Sequence, residues 1–168
     1  MRIGINGLLL SNESGYRQSG IDRYLRGLLS ALPDAMPEDQ LTVFADAGAI
    51  DPEGRFEVRS APSFSSRSAL RIAWEQAGLP RAITQEKLDL FHGAAFALPS
   101  RLPVPGVVTV HDLAFWRWPD QVPKRRGVYL ARAVVSATKK AERVIAVSEA
   151  TKADVVELLH VDPERIDV

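Results

Sequence analysis

The sequence predicts an α/β fold in which helices cover both faces of a mainly parallel sheet. Short apolar and β-branched segments alternate along the chain with longer segments of helical periodicity, and this alternation is typical of a parallel sheet with crossover helices. The length of 168 residues and the 46% share of hydrophobic residues suit one soluble globular domain with a sizeable core. No internal repeat and no low-complexity tract interrupts the pattern.

Six short segments have the length and apolar character of strands buried in such a sheet. They are Arg2–Asn6, Leu41–Ala45, Arg55–Arg59, Leu88–Phe91, Val107–His111 and Arg143–Val147. The last residues, from Val161 to Val168, predict a turn followed by the start of a further strand. Because a strand start is an unusual place for a natural protein to stop, we expect this chain to be one domain of a longer protein.

Two helices are predicted by apolar residues that recur on one helical face. The first stripe consists of Ile21, Leu25, Leu28 and Leu32, and the second of Leu130, Val134, Ala137 and Ala141. A third helix is predicted to begin after Ser148, which can cap it. The stretch from Ser60 to Ser68 is predicted to be a mobile loop, because its serines and proline compete with regular structure.

Composition excludes several classes of chemistry. Basic and acidic residues number 21 each, so overall charge gives no reason to expect a nucleic acid partner. Cysteine is absent, which excludes disulfides, thiolate nucleophiles and thiolate metal sites. The N-terminus lacks the pattern of a signal peptide, and no apolar run approaches the roughly 20 residues that span a bilayer. We therefore expect a cytoplasmic protein.

The segment VVTVHDL, from Val107 to Leu113, carries the first candidates for chemistry. Ligands of open α/β sheets bind at the carboxyl ends of the strands, where His111 and Asp112 are predicted to lie. His111 can act as acid, base or hydrogen-bond donor, and Asp112 can orient hydroxyls or balance a cation. The alternative is that His111 bonds to a neighbouring loop while Asp112 caps a turn. The two need not form a dyad, because adjacent strand residues point to opposite faces.

The connection between the first strand and the first helix is a second candidate site. Gly15 and Gly20 bracket it, and backbone amides at the helix start could face an anionic or hydroxyl-rich ligand. The candidate contact residues are Gly15, Tyr16, Arg17, Ser19 and Gly20. Their spacing fits neither G-x-G-x-x-G nor the P-loop. A plain connecting loop is the alternative interpretation.

The two remaining histidines are less specific signals. His92 is predicted at another strand exit, where it either contacts a ligand or braces a loop. A metal site built from His92, His111 and Asp112 would lack any tight ligand motif, so we expect no metal. His160 lies near the end of a predicted helix, where its side chain is expected to interact favourably with the helix dipole.

Cationic and aromatic residues are concentrated in and before the second predicted helix. The basic residues are Lys124, Arg125, Arg126, Arg132, Lys139 and Lys140. They suit a solvated helix face, and the alternative is contact with anionic lipid headgroups. Phe115, Trp116 and Trp118 could stack on a sugar or nucleotide ring, and we expect at least one of them to pack in the core.

Five segments, taken in order, resemble the N-terminal domain of family 4 retaining glycosyltransferases of the B-type fold, over nearly all 168 residues. They are SGIDRYLRGLLSALP, WEQAGLP, DLFHGAAFALP, VVTVHDLAFWRWPD and AERVIAVSEATKADVVELLHVDPERI. Each is weak alone, whereas their order and spacing together are specific. The resemblance implies two Rossmann-like domains across a cleft, with residues 1–168 as the acceptor-side domain. The donor-binding C-terminal domain, with its paired glutamates, would then be absent from this chain.

The resemblance also implies roles for individual residues. His111 would approach the transferred sugar or its donor phosphate and would position and polarise rather than attack. The loop from Gly15 to Gly20 would lie near acceptor or donor phosphates, and Ser148 and Glu149 match the family's Val-Ser-Glu segment at the cleft. Retention would rest on an oxocarbenium-like transition state, with the leaving phosphate helping to deprotonate the acceptor. The nucleotide-sugar donor is a substrate, and no cofactor is expected.

The leading hypothesis is therefore a glycosyltransferase that moves a sugar from a nucleotide-sugar donor to a saccharide or lipid-linked acceptor with retention. The chain would be inactive alone, and the parent enzyme would be cytoplasmic or peripheral at the inner face of the membrane. The main alternative is a stand-alone, non-catalytic α/β module that binds a nucleotide or carbohydrate. A nicotinamide-dependent oxidoreductase is a weaker third interpretation, because the glycine fingerprint is absent.

Overall fold

Residues 1–10, 20–46, 48, 50, 54–62 and 68–168 are described by a computed structural model. Their strands form one seven-stranded sheet in the order β3-β2-β1-β4-β5-β6-β7, and every neighbouring pair is parallel. The strands are β1 (Arg2–Asn6), β2 (Gln40–Ala45), β3 (Glu57–Ser60), β4 (Leu90–Gly93), β5 (Gly106–Val110), β6 (Arg143–Ala146) and β7 (Ile166–Asp167). The predicted parallel α/β fold is confirmed.

Five α-helices lie in the described part of the chain. They are α1 (Gly20–Ala35), α2 (Ser68–Gln85), α3 (Ala114–Arg117), α4 (Lys124–Lys140) and α5 (Glu149–Leu159). The predicted apolar stripes belong to α1 and α4, and the predicted third helix is α5. The short helix α3 and the long helix α2 were not predicted. Gly78 and Pro80 obscure the signal of α2, yet a β-carbon on Gly78 would lie 2.6 Å from the Trp74 indole, so the indole would have to move.

The boundaries of β4 and β5 differ from the predicted ones at the candidate site residues His92 and His111. β4 begins and ends two residues later than predicted, so His92 lies inside the strand rather than after it. Lys87 adopts a positive φ of 51° in a turn that ends α2. Because of this turn, β4 begins at Leu90 rather than at Leu88. β5 ends at Val110, so His111 is the first residue beyond it. The core of the predicted mobile loop, residues 63–67, lies outside the described residues.

Helices pack on both faces of the sheet, as predicted. On one face, Ile3 and Ile5 of β1 pack with Leu25 and Leu29 of α1. On the other face, α2, α4 and α5 cover the sheet with a larger apolar cluster. Its central residues are Leu79, Ile83, Phe91, Val108, Val110, Val134 and Val155.

The strand order places a crevice between β1 and β4. The chain leaves β1 towards β2 and β3, and it returns through α2 to β4 on the opposite side of β1. Connections that diverge in this way open a crevice at the carboxyl ends of the two strands, where open α/β sheets bind ligands. Among the helices of the described residues, none has the length and apolar character needed to cross a bilayer.

Candidate functional site

His111 lies at the carboxyl edge of β5 with its ring held from three sides. Its Nε2 lies 2.9 Å from the carbonyl oxygen of Ala94. The ring meets Tyr24 edge to face at a centroid distance of 5.0 Å, and Phe96 in the same manner at 6.4 Å. The backbone carbonyl of His111 accepts a hydrogen bond from Thr151 Oγ1 at 3.1 Å. The half-buried ring is therefore fixed in orientation.

The contact with Ala94 also assigns the hydrogen positions of the His111 ring. A carbonyl oxygen can only accept, so Nε2 must carry the hydrogen of this bond. In the neutral ring, Nδ1 is then the acceptor. No described residue bonds to Nδ1. This nitrogen can accept a hydrogen bond from a hydroxyl when the ring is neutral, and it can donate one to an anion when the ring is charged.

A buried chain of polar side chains lies beside this ring. His92 Nε2 and Thr109 Oγ1 are 2.8 Å apart, and Thr109 Oγ1 lies 3.0 Å from the Tyr24 hydroxyl. Burial, together with a smaller effect of the neighbouring His111, lowers the pKa of His92 to about 4. His92 is therefore neutral at physiological pH. Its hydrogen bond joins two neighbouring strands, β4 and β5, rather than bracing a loop.

The fold brings this chain together from three elements. His92 is opposite Val107 in the β4–β5 register, and Thr109, two residues further along β5, points to the same face of the sheet. Tyr24 comes from the second turn of α1, which covers that face. Sequence analysis missed Tyr24 and Thr109. The available signals were a lone threonine in a valine-rich strand and an aromatic residue beside the apolar stripe.

Asp112 starts the turn that leads into α3. Its Oδ1 accepts a hydrogen bond from the backbone amide of Ala114 at 3.0 Å, and the residue is exposed. Both His111 and Asp112 belong to the described residues, and no hydrogen bond joins their side chains. The turn-capping contact considered for Asp112 is therefore present, and the two residues do not form a dyad.

Ser148 caps α5, as predicted. Its hydroxyl accepts a hydrogen bond from the amide of Thr151 at 3.2 Å. Because the Thr151 hydroxyl in turn bonds to the carbonyl of His111, the exit of β6 is tied to the exit of β5. Glu149 is exposed in the first turn of α5, where a carboxylate suits the helix dipole.

The predicted glycine-bracketed connection is only partly described. Gly15, Tyr16, Arg17 and Ser19 lie outside the described residues. Gly20 is the first residue of α1, is exposed, and has open space where a side chain would extend. Because α1 follows β1 and leads into the parallel strand β2, the start of α1 lies at the carboxyl edge of the sheet.

A second buried polar group lies at the end of β1, on the face opposite α1. Asn6 Nδ2 donates to Glu75 Oε1 at 3.0 Å, and Asn6 Oδ1 accepts from the amide of Leu8 at 3.2 Å. Burial raises the pKa of Glu75, while the Asn6 hydrogen bond and Arg71 oppose this effect. Sequence analysis missed Glu75 because α2 was not predicted.

The remaining candidates are placed as follows. Phe115 is buried, which confirms that at least one aromatic residue of its segment packs in the core, while Trp116 and Trp118 are 37% and 57% exposed. His160 ends α5 in the left-handed conformation, with a φ of 54°. Within the described residues, no group of three His, Asp or Glu side chains could hold a metal ion.

Comparison with known proteins gives consistent relatives. Residues 18–168 match the family model described as Glycosyltransferase Family 4. The chain is 27% identical, over an alignment of 164 residues, to the O-antigen chain mannosyltransferase B of Escherichia coli, which covers 90% of this chain and 43% of that protein.

Two solved structures share the fold over the whole chain. The lipopolysaccharide outer core galactosyltransferase WaaB in its apo form matches with a TM-score of 0.53 at 12% identity, over 45% of its length. Anabaena Alr3699/HepE in complex with UDP and glucose matches with a TM-score of 0.55 at 19% identity, over 43% of its length. The chain thus spans less than half of each of these relatives. Since the family model matches nearly the entire sequence, from before α1 to β7, the chain belongs to glycosyltransferase family 4.

Proposed function

We propose that this chain is the N-terminal, acceptor-side domain of a retaining glycosyltransferase. The parent enzyme moves a sugar from a nucleotide-sugar donor to a saccharide or lipid-linked acceptor. The carrying observation is the fixed His111 ring at the carboxyl edge of the sheet, in a chain that matches family 4 over residues 18–168. The name of the Escherichia coli relative and the UDP and glucose in the HepE structure support a nucleotide-sugar donor.

The proposed domain arrangement uses the crevice between β1 and β4. A C-terminal domain that binds the donor nucleotide faces the carboxyl edge of this sheet, so the reacting sugar lies between the two domains. The exposed residues Gly20, Ser148 and Glu149 border that edge. In this arrangement, amides of the Gly15–Gly20 loop contact phosphate or hydroxyl groups, and Glu149 accepts hydrogen bonds from sugar hydroxyls.

His111 positions the transferred sugar. Its Nε2 is occupied by the Ala94 carbonyl, which leaves Nδ1 to accept a hydrogen bond from a sugar hydroxyl or, when protonated, to donate one to the leaving phosphate. A hydrogen-bond donor held in a fixed orientation stabilises the charge that develops in the transition state, because the protein does not have to reorganise. The acceptor hydroxyl gives its proton to the leaving phosphate as the bond to the sugar forms.

Protein expressed from the complete reading frame that contains residues 1–168 tests this proposal. It should transfer label from a panel of nucleotide diphosphate hexoses to a saccharide or lipid acceptor, and NMR of the product should show the donor's anomeric configuration. Residues 1–168 alone should transfer none. A product with inverted anomeric configuration would contradict retention. Sugar transfer by residues 1–168 alone would contradict the assignment of donor binding to a separate C-terminal domain. Ligand binding by residues 1–168, with no transfer by the complete protein, would indicate a binding module instead.

A further inference from the structure

Basic residues are concentrated on helix α4, although the chain as a whole is neutral. The protein has 21 basic and 21 acidic residues, yet α4 contains six basic residues and no acidic one. All six are exposed. Between residues 113 and 141, Asp120 is the one acidic residue. The outward face of α4 is therefore strongly cationic.

A groove lined by both polar and apolar side chains runs along this cationic face. It lies between α2, α4 and residues 97–100, and it has a volume of about 480 Å³. Arg125, Tyr129, Arg132 and Ser136 of α4 line one side, spaced so that they share one helical face. Neither arginine forms an ion pair with a described residue. Two guanidinium groups are thus available to phosphate oxygens along one wall of the groove.

A second, apolar groove lies on the other side of Val128. It has a volume of about 370 Å³, and Phe115, Trp116, Lys124 and Ala131 contribute to its walls. Val128 lines both grooves and is 52% exposed, so it forms the ridge between them. Trp118, which follows α3, is 57% exposed. Apolar and aromatic side chains therefore line the groove that adjoins the one lined by Arg125 and Arg132.

We propose that this surface, formed by α3, the outward face of α4 and the two grooves, docks on an anionic lipid bilayer. Arg125 and Arg132 contact headgroup phosphates, while Trp116, Trp118 and Val128 enter the boundary between headgroups and acyl chains. A basic helix face flanked by exposed apolar and aromatic residues is the pattern of proteins that lie on a membrane. Tryptophan rings favour this interfacial depth.

The position of the surface connects docking to the proposed function. The segment from α3 to the start of α4 follows β5, so it lies at the same edge of the sheet as His111. Docking would bring that edge close to the headgroups, within reach of a lipid-linked acceptor. The docking itself follows from the surface alone, whereas the choice of a lipid-linked acceptor rests on the proposed function.

Vesicle binding by the protein from the complete reading frame tests docking without any assay of sugar transfer. We expect binding to vesicles of equal phosphatidylglycerol and phosphatidylcholine, measured by flotation at about 0.15 M salt, and much weaker binding to pure phosphatidylcholine. The variant R125Q/R132Q should bind the anionic vesicles roughly 10- to 30-fold more weakly, since each basic residue near the surface adds to the attraction.

A matched control removes the same charge elsewhere. Arg81 and Arg101 are exposed and line another cavity, of about 550 Å³, formed by the end of α2 and the segment before β5. That cavity lies at the amino edge of the sheet, away from His111. R81Q/R101Q should therefore bind vesicles like the wild type. The proposal would be overturned if both double variants lost vesicle binding equally, or if the wild-type protein did not bind anionic vesicles.

Tryptophan emission separates bilayer docking from simple attraction to polyanions. On anionic vesicles the emission should shift to shorter wavelength, and W118A should reduce both this shift and the vesicle binding. W118A should fold normally, because the side chain is largely exposed. Binding to a short DNA duplex as strong as binding to vesicles, without a spectral shift on vesicles, would identify the surface as a nucleic acid site and overturn membrane docking.

Discussion

His92, inside β4, and His111, just beyond β5, belong to neighbouring strands, and their surroundings give them different chemistry. His92 is buried against Thr109, and its pKa is lowered to about 4. His111 is half-buried, and only its Nε2 is engaged by a described residue, the Ala94 carbonyl. At neutral pH the buried ring acts as an uncharged brace, while Nδ1 of the ring at the sheet edge makes no hydrogen bond to a described residue.

The low pKa of His92 predicts an acid-dependent loss of stability. Its folded-state pKa of about 4 lies below the ordinary value of 6.5, so the unfolded chain binds a proton first as pH falls. The contribution is fully present above pH 6.5, is lost between pH 6.5 and about 4, and amounts to about 3 kcal/mol. Chemical denaturation of wild type and His92→Gln across this range measures it. The difference between them should change with pH, and parallel curves would contradict the assignment.

Tyr24 makes two contacts that substitution can separate. Tyr24→Phe removes the hydroxyl that reaches Thr109 and keeps the ring edge against His111. We expect a loss of about 1 kcal/mol in the free energy of unfolding, with turnover of the complete enzyme nearly retained. Tyr24→Leu removes the ring as well, so turnover should fall further. Equal turnover in the two variants would show that the ring does not orient His111.

At the scale of elements, Gly93 allows the loop after β4 to fold back on the strand. A β-carbon at Gly93 would overlap the carbonyl oxygen of Ala97 and the side chain of Leu98. Because backbone cannot yield as a flexible side chain can, Gly93→Ala should destabilise the protein by about 1–3 kcal/mol in thermal or chemical unfolding.

Gly27 provides the control for this substitution. It is exposed within α1 and has open space around it, so Gly27→Ala should stabilise the helix by about 0.5–1 kcal/mol. If both alanine variants changed stability in the same direction, close packing at Gly93 would not be the cause.

The elements that were predicted correctly carry local signals. α1 and α4 have apolar stripes, α5 has a serine cap, and β5 has a continuous apolar run that places His111 at its end. α2 was missed, since Gly78 and Pro80 weaken its local preference and packing on the sheet overrides them. The shift of β4 depended on how α2 ends.

The side-chain contacts of the candidate site could not be predicted from local sequence patterns. Tyr24 and Thr109 are separated by 85 residues, and Asn6 and Glu75 by 69. Both pairs form because α1 and α2 pack on opposite faces of the sheet. A sequence pattern places a residue at a strand end, but the partner of its side chain depends on which helix crosses above it.

For the whole molecule, the strand order brings the candidate site residues to one edge of the sheet. The divergence between β1 and β4 makes the crevice, β5 places His111 beside it, and α3 with the start of α4 places one end of the cationic surface at the same edge. The amino edge carries the turns that connect the helices back to the strands. This polarity agrees with a domain that uses its carboxyl edge to meet both a second domain and an acceptor.

The most direct measurement is the sugar-transfer turnover of His111→Ala in the protein from the complete reading frame, alongside its thermal unfolding. The side chain makes one hydrogen bond with the part of the chain that the structure describes and is half-buried, so unfolding should change little. We predict that turnover falls roughly 100-fold or more, the usual cost of removing a positioned donor that stabilises developing charge. Turnover within a factor of about two of wild type, in a folded variant, would remove His111 from the mechanism.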